Sequence, residues 1–340
     1  MNRIFWVDCA RFIAILMVVL THAHEQSNVS NETIKSLLYC FDRIGVPIFF
    51  MLSGGLILPK IHSISVLSFY KKRIPQFIIL LVIYSVLSNT IHEVMNGEAF
   101  LAALYSSVIK YNGVYPANYG VAVQLWFMYS IIQLYLIAPF LSRLIIRLET
   151  KEIIILILLC LLLSFIKHAF LIIDPDWKFL IRMGDDFTGP YLAYFLTGYL
   201  IMNRGGDLHS VLRNNIFNTM VIITPAIIVM SIEYTIGKMI HAFHWYTSSF
   251  FIYTSSVGAI CLIKSFCEGK SNKTISALGH YSFGIYLIHF VFISLALFIV
   301  KLAGMNWVWS TVTLFMISFI LSIVYTHLMF KTRMTKYMVS

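Results

Sequence analysis

Three residues in the first stretch of the chain have types and spacing that suit chemistry. Phe5 to His24 reads FWVDCARFIAILMVVLTHAH, apolar enough to enter a bilayer, yet it carries Asp8, Arg11 and His22. On an α-helix at about 100° per residue, the step from Arg11 to His22 is about three full turns, so both point the same way roughly 16 Å apart. Asp8 lies one turn below Arg11 on that face. A charge in a membrane helix costs ~2.5–3.5 kcal/mol on insertion scales, so this polar stripe belongs against a protein interior or a wet cavity. Neutral imidazole is the side chain best able to take a proton from a hydroxyl near neutral pH, which makes His22 a candidate general base. His24 is two residues on and splays from it by about 200°, which argues against joint metal ligation. No metal is expected.

Further along, Ser53-Gly54-Gly55 sets small residues in an apolar run, where they permit close backbone approach by a neighbour or a ligand. The surroundings of Ser53 lack the Gly-x-Ser-x-Gly elbow of a nucleophile, so packing or hydrogen bonding is the better reading. Tyr70-Lys71-Lys72-Arg73-Ile74-Pro75 is first a topology signal. At a helix N-terminus it is equally a phosphate site, where backbone N–H groups and the helix dipole add to the charges. A phosphate-bearing cytosolic donor such as a coenzyme A thioester suits it. Gln133 falls deep in an apolar run with Gln124, Trp126, Tyr129 and Tyr135, and is expected to need a partner. Asp185 and Asp186 form a carboxylate pair that is either solvated or able to bind sugar hydroxyls. Ser282, Tyr286 and His289 recur at spacings of four and three and share a helix face.

The elements that must position these residues are membrane helices. The 340 residues are 59% hydrophobic and 12% charged with a mean hydropathy of +0.82, whereas a soluble domain has about 25% charged residues. At about 20 apolar residues per span, ten spans are expected near 5–24, 42–59, 72–91, 124–146, 152–172, 188–203, 215–236, 246–266, 281–301 and 306–329. The fold class is therefore all-α, a polytopic membrane bundle forming a single domain, with no separate soluble domain expected. Of the 25 Lys and Arg residues, 16 fall in the N-terminus and even-numbered connections and eight in the others, so both termini are expected on the cytoplasmic side. The net charge of +10 follows from that topology, because the basic residues are spread through short loops and form no nucleic-acid face. Asp8 and Arg11 interrupt any signal-peptide core, so the first span is expected to stay. The five cysteines lack metal-type spacing and read as isolated core residues. The connection from His92 to Val123 is rich in Tyr, Asn and Gly and is either an ordinary loop or a surface that meets a polar molecule. No internal repeat is visible, which weakens the secondary-transporter class.

Five strings, in order, resemble the acyltransferase family 3 of integral membrane O-acyltransferases. They are the Arg, ten residues, His pattern at Arg11 and His22 preceded by Asp8; FFMLSG at Phe49 to Gly54; the basic entry at Lys72 to Pro75; LWFMYSIIQLYLIAP at Leu125 to Pro139; and LGHYSFGIYLIHF at Leu278 to Phe290. Among its members the chain is most similar to the short bacterial ones without an appended soluble domain, of the enterobacterial common antigen O-acetyltransferase type. The resemblance implies transfer of an acyl group, usually acetyl, from cytosolic acetyl-CoA to a hydroxyl of a surface polysaccharide or lipid-linked glycan, in a bacterial inner membrane. It implies that Arg11 and His22 are the essential pair, with Asp8 beside them. Lys72, Arg73, Ser53, Tyr286 and His289 are the candidate donor-binding positions within the matching strings. The family pattern has two arginines where this chain has Lys71-Lys72-Arg73, and Gly55 stands where a larger residue is usual.

The expected mechanism holds the nucleotide end of acetyl-CoA at Lys72 and Arg73, passes the pantetheine arm by Arg11, and brings the thioester to His22. Direct transfer and a transient acyl-histidine both fit. The alternatives are a transporter or flippase for a glycan or small solute, with the same residues lining a pathway, and a non-catalytic assembly subunit.

Overall fold

The computed structural model describes residues 4–109, 122–173, 190–206, 213–239 and 249–339, and within these the chain is helical, with no strand. Asp185 and Asp186, and 110–121 of the connection expected to meet a polar molecule, lie outside the described residues. The helices are α1 (Phe5–Gln26), α2 (Glu32–Asp42), α3 (Gly45–Ile61), α4 (Val66–Met95), α5 (Phe100–Ile109), α6 (Trp126–Ile145), α7 (Thr150–Ile173), α8 (Pro190–Asn203), α9 (Asn215–Ile236), α10 (Phe250–Cys267), α11 (Lys273–Leu302), α12 (Trp307–Met329) and α13 (Arg333–Lys336). A single 3₁₀ turn, Val123–Leu125, leads into α6. Eight stretches among the described residues are long and apolar enough to cross a membrane: α1, α2 with α3, α4, α6 with its 3₁₀ turn, α9, α10, α11 and α12. The fifth and sixth expected spans coincide with α7 and the shorter α8. The chain is thus an all-α polytopic membrane protein.

Burial separates the centre of the bundle from its rim. In the most apolar window, 61% of α11 and 56% of α1 is buried inside the protein, against 17% of α9 and 28% of α12. Since lipid tails are as apolar as leucine, helices inside a bilayer are held by close packing more than by hydrophobic burial. Small residues supply it at the α3–α8 contact. A Cβ on Gly54 would sit 1.9 Å from the Phe195 carbonyl oxygen, and one on Gly198 would sit 1.7 Å from that of Met51. Ser53-Gly54-Gly55 therefore serves the close backbone approach anticipated for it, with α8 as the neighbour.

Two boundaries differ from expectation. The third span begins at Val66, where Ser65 caps the helix by accepting from Ser68 N at 3.2 Å. Lys71, Lys72 and Arg73 consequently lie in the second turn, where backbone N–H groups are already bonded within the helix. The helix N-terminus therefore offers no free backbone N–H groups beside these three side chains. The second difference is α2. The segment between the first two spans folds into a helix capped by Asn31, whose side chain accepts from Ile34 N at 3.0 Å. The chain reaches it through Ser27, whose N–H returns to His24 O, and through Asn28 at φ 55°, a left-handed conformation that Asn tolerates. Gly45 then opens α3 directly after the Arg43-Ile44 link.

Candidate active site

A cavity of about 670 Å³ enters the bundle between α1, α3, α4, α6 and α11. Its mouth carries Lys60, Lys72 and Arg73, and Arg11 stands deeper in its wall. Lys60 is near enough to Arg11 and Arg73 to feel both charges. Among the described residues, none of Lys60, Lys72 and Arg73 has a carboxylate within ion-pair distance. Lys71 is exposed and is not part of the wall, so within the basic triplet it is Lys72 and Arg73 that face the cavity. Such a concentration of positive charge in a low-dielectric pocket is self-repelling and is relieved by an anionic ligand.

Arg11 Nη1 lies 3.8 Å from Asp8 Oδ1, the pair expected from their one-turn spacing. Asp8 itself is buried at the α1–α11 crossing, where a Cβ on Gly279 would come within 2.3 Å of the Asp8 carbonyl oxygen. The missing side chain at Gly279 lets α11 lie against the polar stripe of α1. Ser53 lines the cavity and hydrogen-bonds Tyr135, another wall residue. Ser282 and Tyr286 line it from α11.

Two of the cavity's lining residues are the rings of Phe127 and Tyr286. Tyr286 donates its O–H to the Gln124 carbonyl at 2.8 Å and packs edge-on to Phe127 at 5.4 Å between centroids. One turn further along α11, His289 is fully buried and is not a cavity wall; its ring lies 6.2 Å from Tyr286 and stacks on His22 at 5.4 Å with a 30° interplanar angle. His289 thus packs against the His22 ring and does not line this cavity, where a donor-binding role was anticipated for it. From α1, Asp8 meets Gly279 of α11 and His22 meets His289 of the same helix, while Arg11 lines the cavity together with Gly279, Ser282 and Tyr286. His22 is not among this cavity's lining residues, and 13% of its side chain is exposed.

Around His22 the sequence reading missed a polar cluster. His22 Nδ1 is 3.2 Å from Glu25 Oε2, and Glu25 Oε1 accepts from Tyr39 Oη at 3.0 Å and from Arg43 Nη2. An ionised carboxylate held by a guanidinium has no proton to give, so His22 Nδ1 carries the hydrogen, and in the neutral ring the lone pair is on Nε2. His289 is fixed in the same tautomer, with Nδ1 donating to the Tyr286 carbonyl at 2.7 Å. Next to this cluster, His24 Nε2 lies 2.7 Å from Asp42 Oδ2, both side chains fully buried. His24 therefore ties the end of α1 to the end of α2 and is turned away from His22, as its two-residue spacing requires. Glu25 was findable in the sequence, because it lies three residues from His22 and such pairs meet on a helix. Arg43 and Tyr39 carried no local signal, since only the fold of α2 brings them near.

Gln133 is exposed on α6 and not buried against a partner; the buried amide is Gln124, whose Nε2 lies 3.4 Å from Ser88 Oγ. An α6 turn that starts at Trp126 puts residue 133 on the rim face, while the 3₁₀ turn sends Gln124 inward. The five cysteines are free. Among the described residues no cluster of His, Cys, Asp and Glu could hold a metal ion.

The helices thus form a polytopic bundle with a pocket lined by Arg11, Lys60, Lys72 and Arg73, a lining that suits an anionic ligand. Residues 4–327 match the family model described as acyltransferase domain, and the chain belongs to that family. It is a membrane acyltransferase. The match runs from the start of α1 into the last turn of α12, so every helix that lines the cavity lies within it. No curated protein and no solved structure matches the chain.

Proposed function

We propose that the protein is an O-acetyltransferase that moves an acetyl group from cytosolic acetyl-CoA to a hydroxyl of a surface polysaccharide or lipid-linked glycan in a bacterial inner membrane. The observation that carries this reading is the seam between α1 and α11, which has cations and Arg11 in a cavity at one end and His22 at the other. Lys60, Lys72 and Arg73 bind the donor's phosphates, and Arg11, released in part from Asp8, steadies the chain that follows. The thioester advances along the seam as the Tyr286 and Phe127 rings give way. His22 Nε2 takes the proton of the acceptor hydroxyl while its oxygen forms the new bond to the acetyl carbon. The carbon–sulfur bond breaks, and the thiolate leaves with the proton that His22 gives up. An ester and free coenzyme A thiol result, and the base is regenerated.

The separation of about 16 Å between Arg11 and His22 suits this division, because a nucleotide donor comes from the cytosol and a glycan acceptor from the opposite face. Both termini then lie in the cytosol, in line with the distribution of basic residues. Mass spectrometry of surface glycans from cells with and without the gene tests the acceptor class, and free-thiol release from acetyl-CoA by purified protein tests the donor. The expected results are loss of 42-dalton increments, about one acetyl group each, and thiol release that rises with glycan. Unchanged glycans together with no acetyl-CoA consumption would overturn the proposal.

A further inference from the structure

We infer that Glu25 is the positioning residue for His22 and that Arg43 and Tyr39 hold Glu25 in place; the inference rests on the assignment of His22 as the base. The two oxygens of Glu25 have separate tasks. Oε2 faces His22 Nδ1 at 3.2 Å, and Oε1 accepts from Tyr39 at 3.0 Å and from Arg43. The Arg43 guanidinium lies over the Tyr39 ring, 4.5 Å from its centroid, so the two anchors also pack on each other. A glutamate in the last turn of a helix is otherwise free to change rotamer, and two donors from another element remove that freedom.

The ring of His22 is closed in by neighbours on α11, with His289 stacked on its face and Phe290 meeting it edge-on at 5.4 Å. Stacking fixes the plane of the ring but not which nitrogen bears hydrogen. The carboxylate fixes that: bonded to Nδ1–H, it leaves the lone pair on Nε2, across the ring, for every molecule in the population. Without it the tautomers mix and the ring flips, so that some molecules present an N–H where an acceptor of protons is needed.

None of the three partners is on α11, and two of them come from α2 and its exit. The catalytic geometry at His22 therefore depends on the docking of α2. That docking is secured by the buried His24–Asp42 contact at 2.7 Å, by Ser36 donating to Glu233 of α9, and by the Glu32 carboxylate accepting from Met239 N at 3.1 Å.

The test compares wild type with Glu25→Gln, Glu25→Asp and His22→Ala, each purified and eluting like wild type on size exclusion. The readout is thiol release from acetyl-CoA stimulated by a glycan fraction extracted from cell envelopes. Glu25→Gln is expected to lower kcat at least about tenfold with KM for acetyl-CoA within about twofold, and Glu25→Asp to recover part of that loss. A purely structural role would move KM and elution as well and would not distinguish the carboxylate from the amide. Wild-type kcat in Glu25→Gln, or no recovery in Glu25→Asp, overturns the inference when His22→Ala is inactive. Wild-type kcat in His22→Ala overturns the base assignment, and this inference falls with it. Should Glu25→Gln strand the Arg43 charge and fail to fold, Glu25→Gln combined with Arg43→Gln removes that charge, and the same loss of kcat is expected.

Discussion

Four cations, Arg11, Lys60, Lys72 and Arg73, line one cavity, and Lys71 beside them in sequence does not. Lys71 adjoins Lys72 in the chain but is exposed outside the wall, while Lys60, from the preceding helix, is inside it. Charge-assisted hydrogen bonds to phosphate contribute roughly 1.5–3 kcal/mol each. Lys72→Ala and Arg73→Ala are accordingly expected to raise KM for acetyl-CoA by about tenfold or more, and Lys71→Ala to leave it within about twofold. Initial-rate kinetics on purified protein separates these, and equal effects at Lys71 and Lys72 would contradict the cavity assignment. The basic triplet was visible in the sequence, but which of its members faces inward was not. That choice depends on where α4 starts, and Ser65 sets the start six residues before Lys71. Likewise Asp8, Arg11 and His22 could be placed on one face from spacing alone. Lys60 could not be joined to them, because its position depends on how α3 packs beside α1.

At the scale of elements, two contacts set the geometry. The α3–α8 contact is backbone against backbone, with no room for a Cβ at Gly198. Gly198→Ala must push α8 away from α3, and overpacking of that kind destabilises by about 1–3 kcal/mol. A lower unfolding temperature in detergent is the expected result; an unchanged one would mean that the helices part freely. The α1–α2 contact relies instead on a buried polar pair, His24 and Asp42, 2.7 Å apart. Leaving one partner of such a pair buried and unsatisfied costs about 1–3 kcal/mol. Asp42→Ala should therefore lower the unfolding temperature in detergent, and should depress turnover at His22 as α2 loosens. Hydropathy identified the spans because a bilayer demands long apolar helices. It could not identify α2, an eleven-residue helix at the end of the bundle whose role is to carry Tyr39 toward Glu25. The glycines of Ser53-Gly54-Gly55 did signal close packing, although their partner, α8, lies far off in the chain.

For the molecule as a whole, the proposed reaction brings donor and acceptor to opposite faces of the membrane, with basic residues concentrated on the donor side. In a cysteine-free background and intact spheroplasts, Lys301→Cys is expected to react with an impermeant maleimide and Lys270→Cys only after lysis; the reverse would invert the topology and put the cationic mouth outside. In the proposed reaction, binding and chemistry are divided between the two ends of α1. Measuring acetyl-CoA affinity and glycan-stimulated turnover side by side in folded His22→Ala separates the two. The prediction is donor affinity within about twofold of wild type with kcat lowered by at least about 100-fold, the scale of a lost general base. Turnover near wild type, or loss of donor binding with it, would contradict the division on which the mechanism stands.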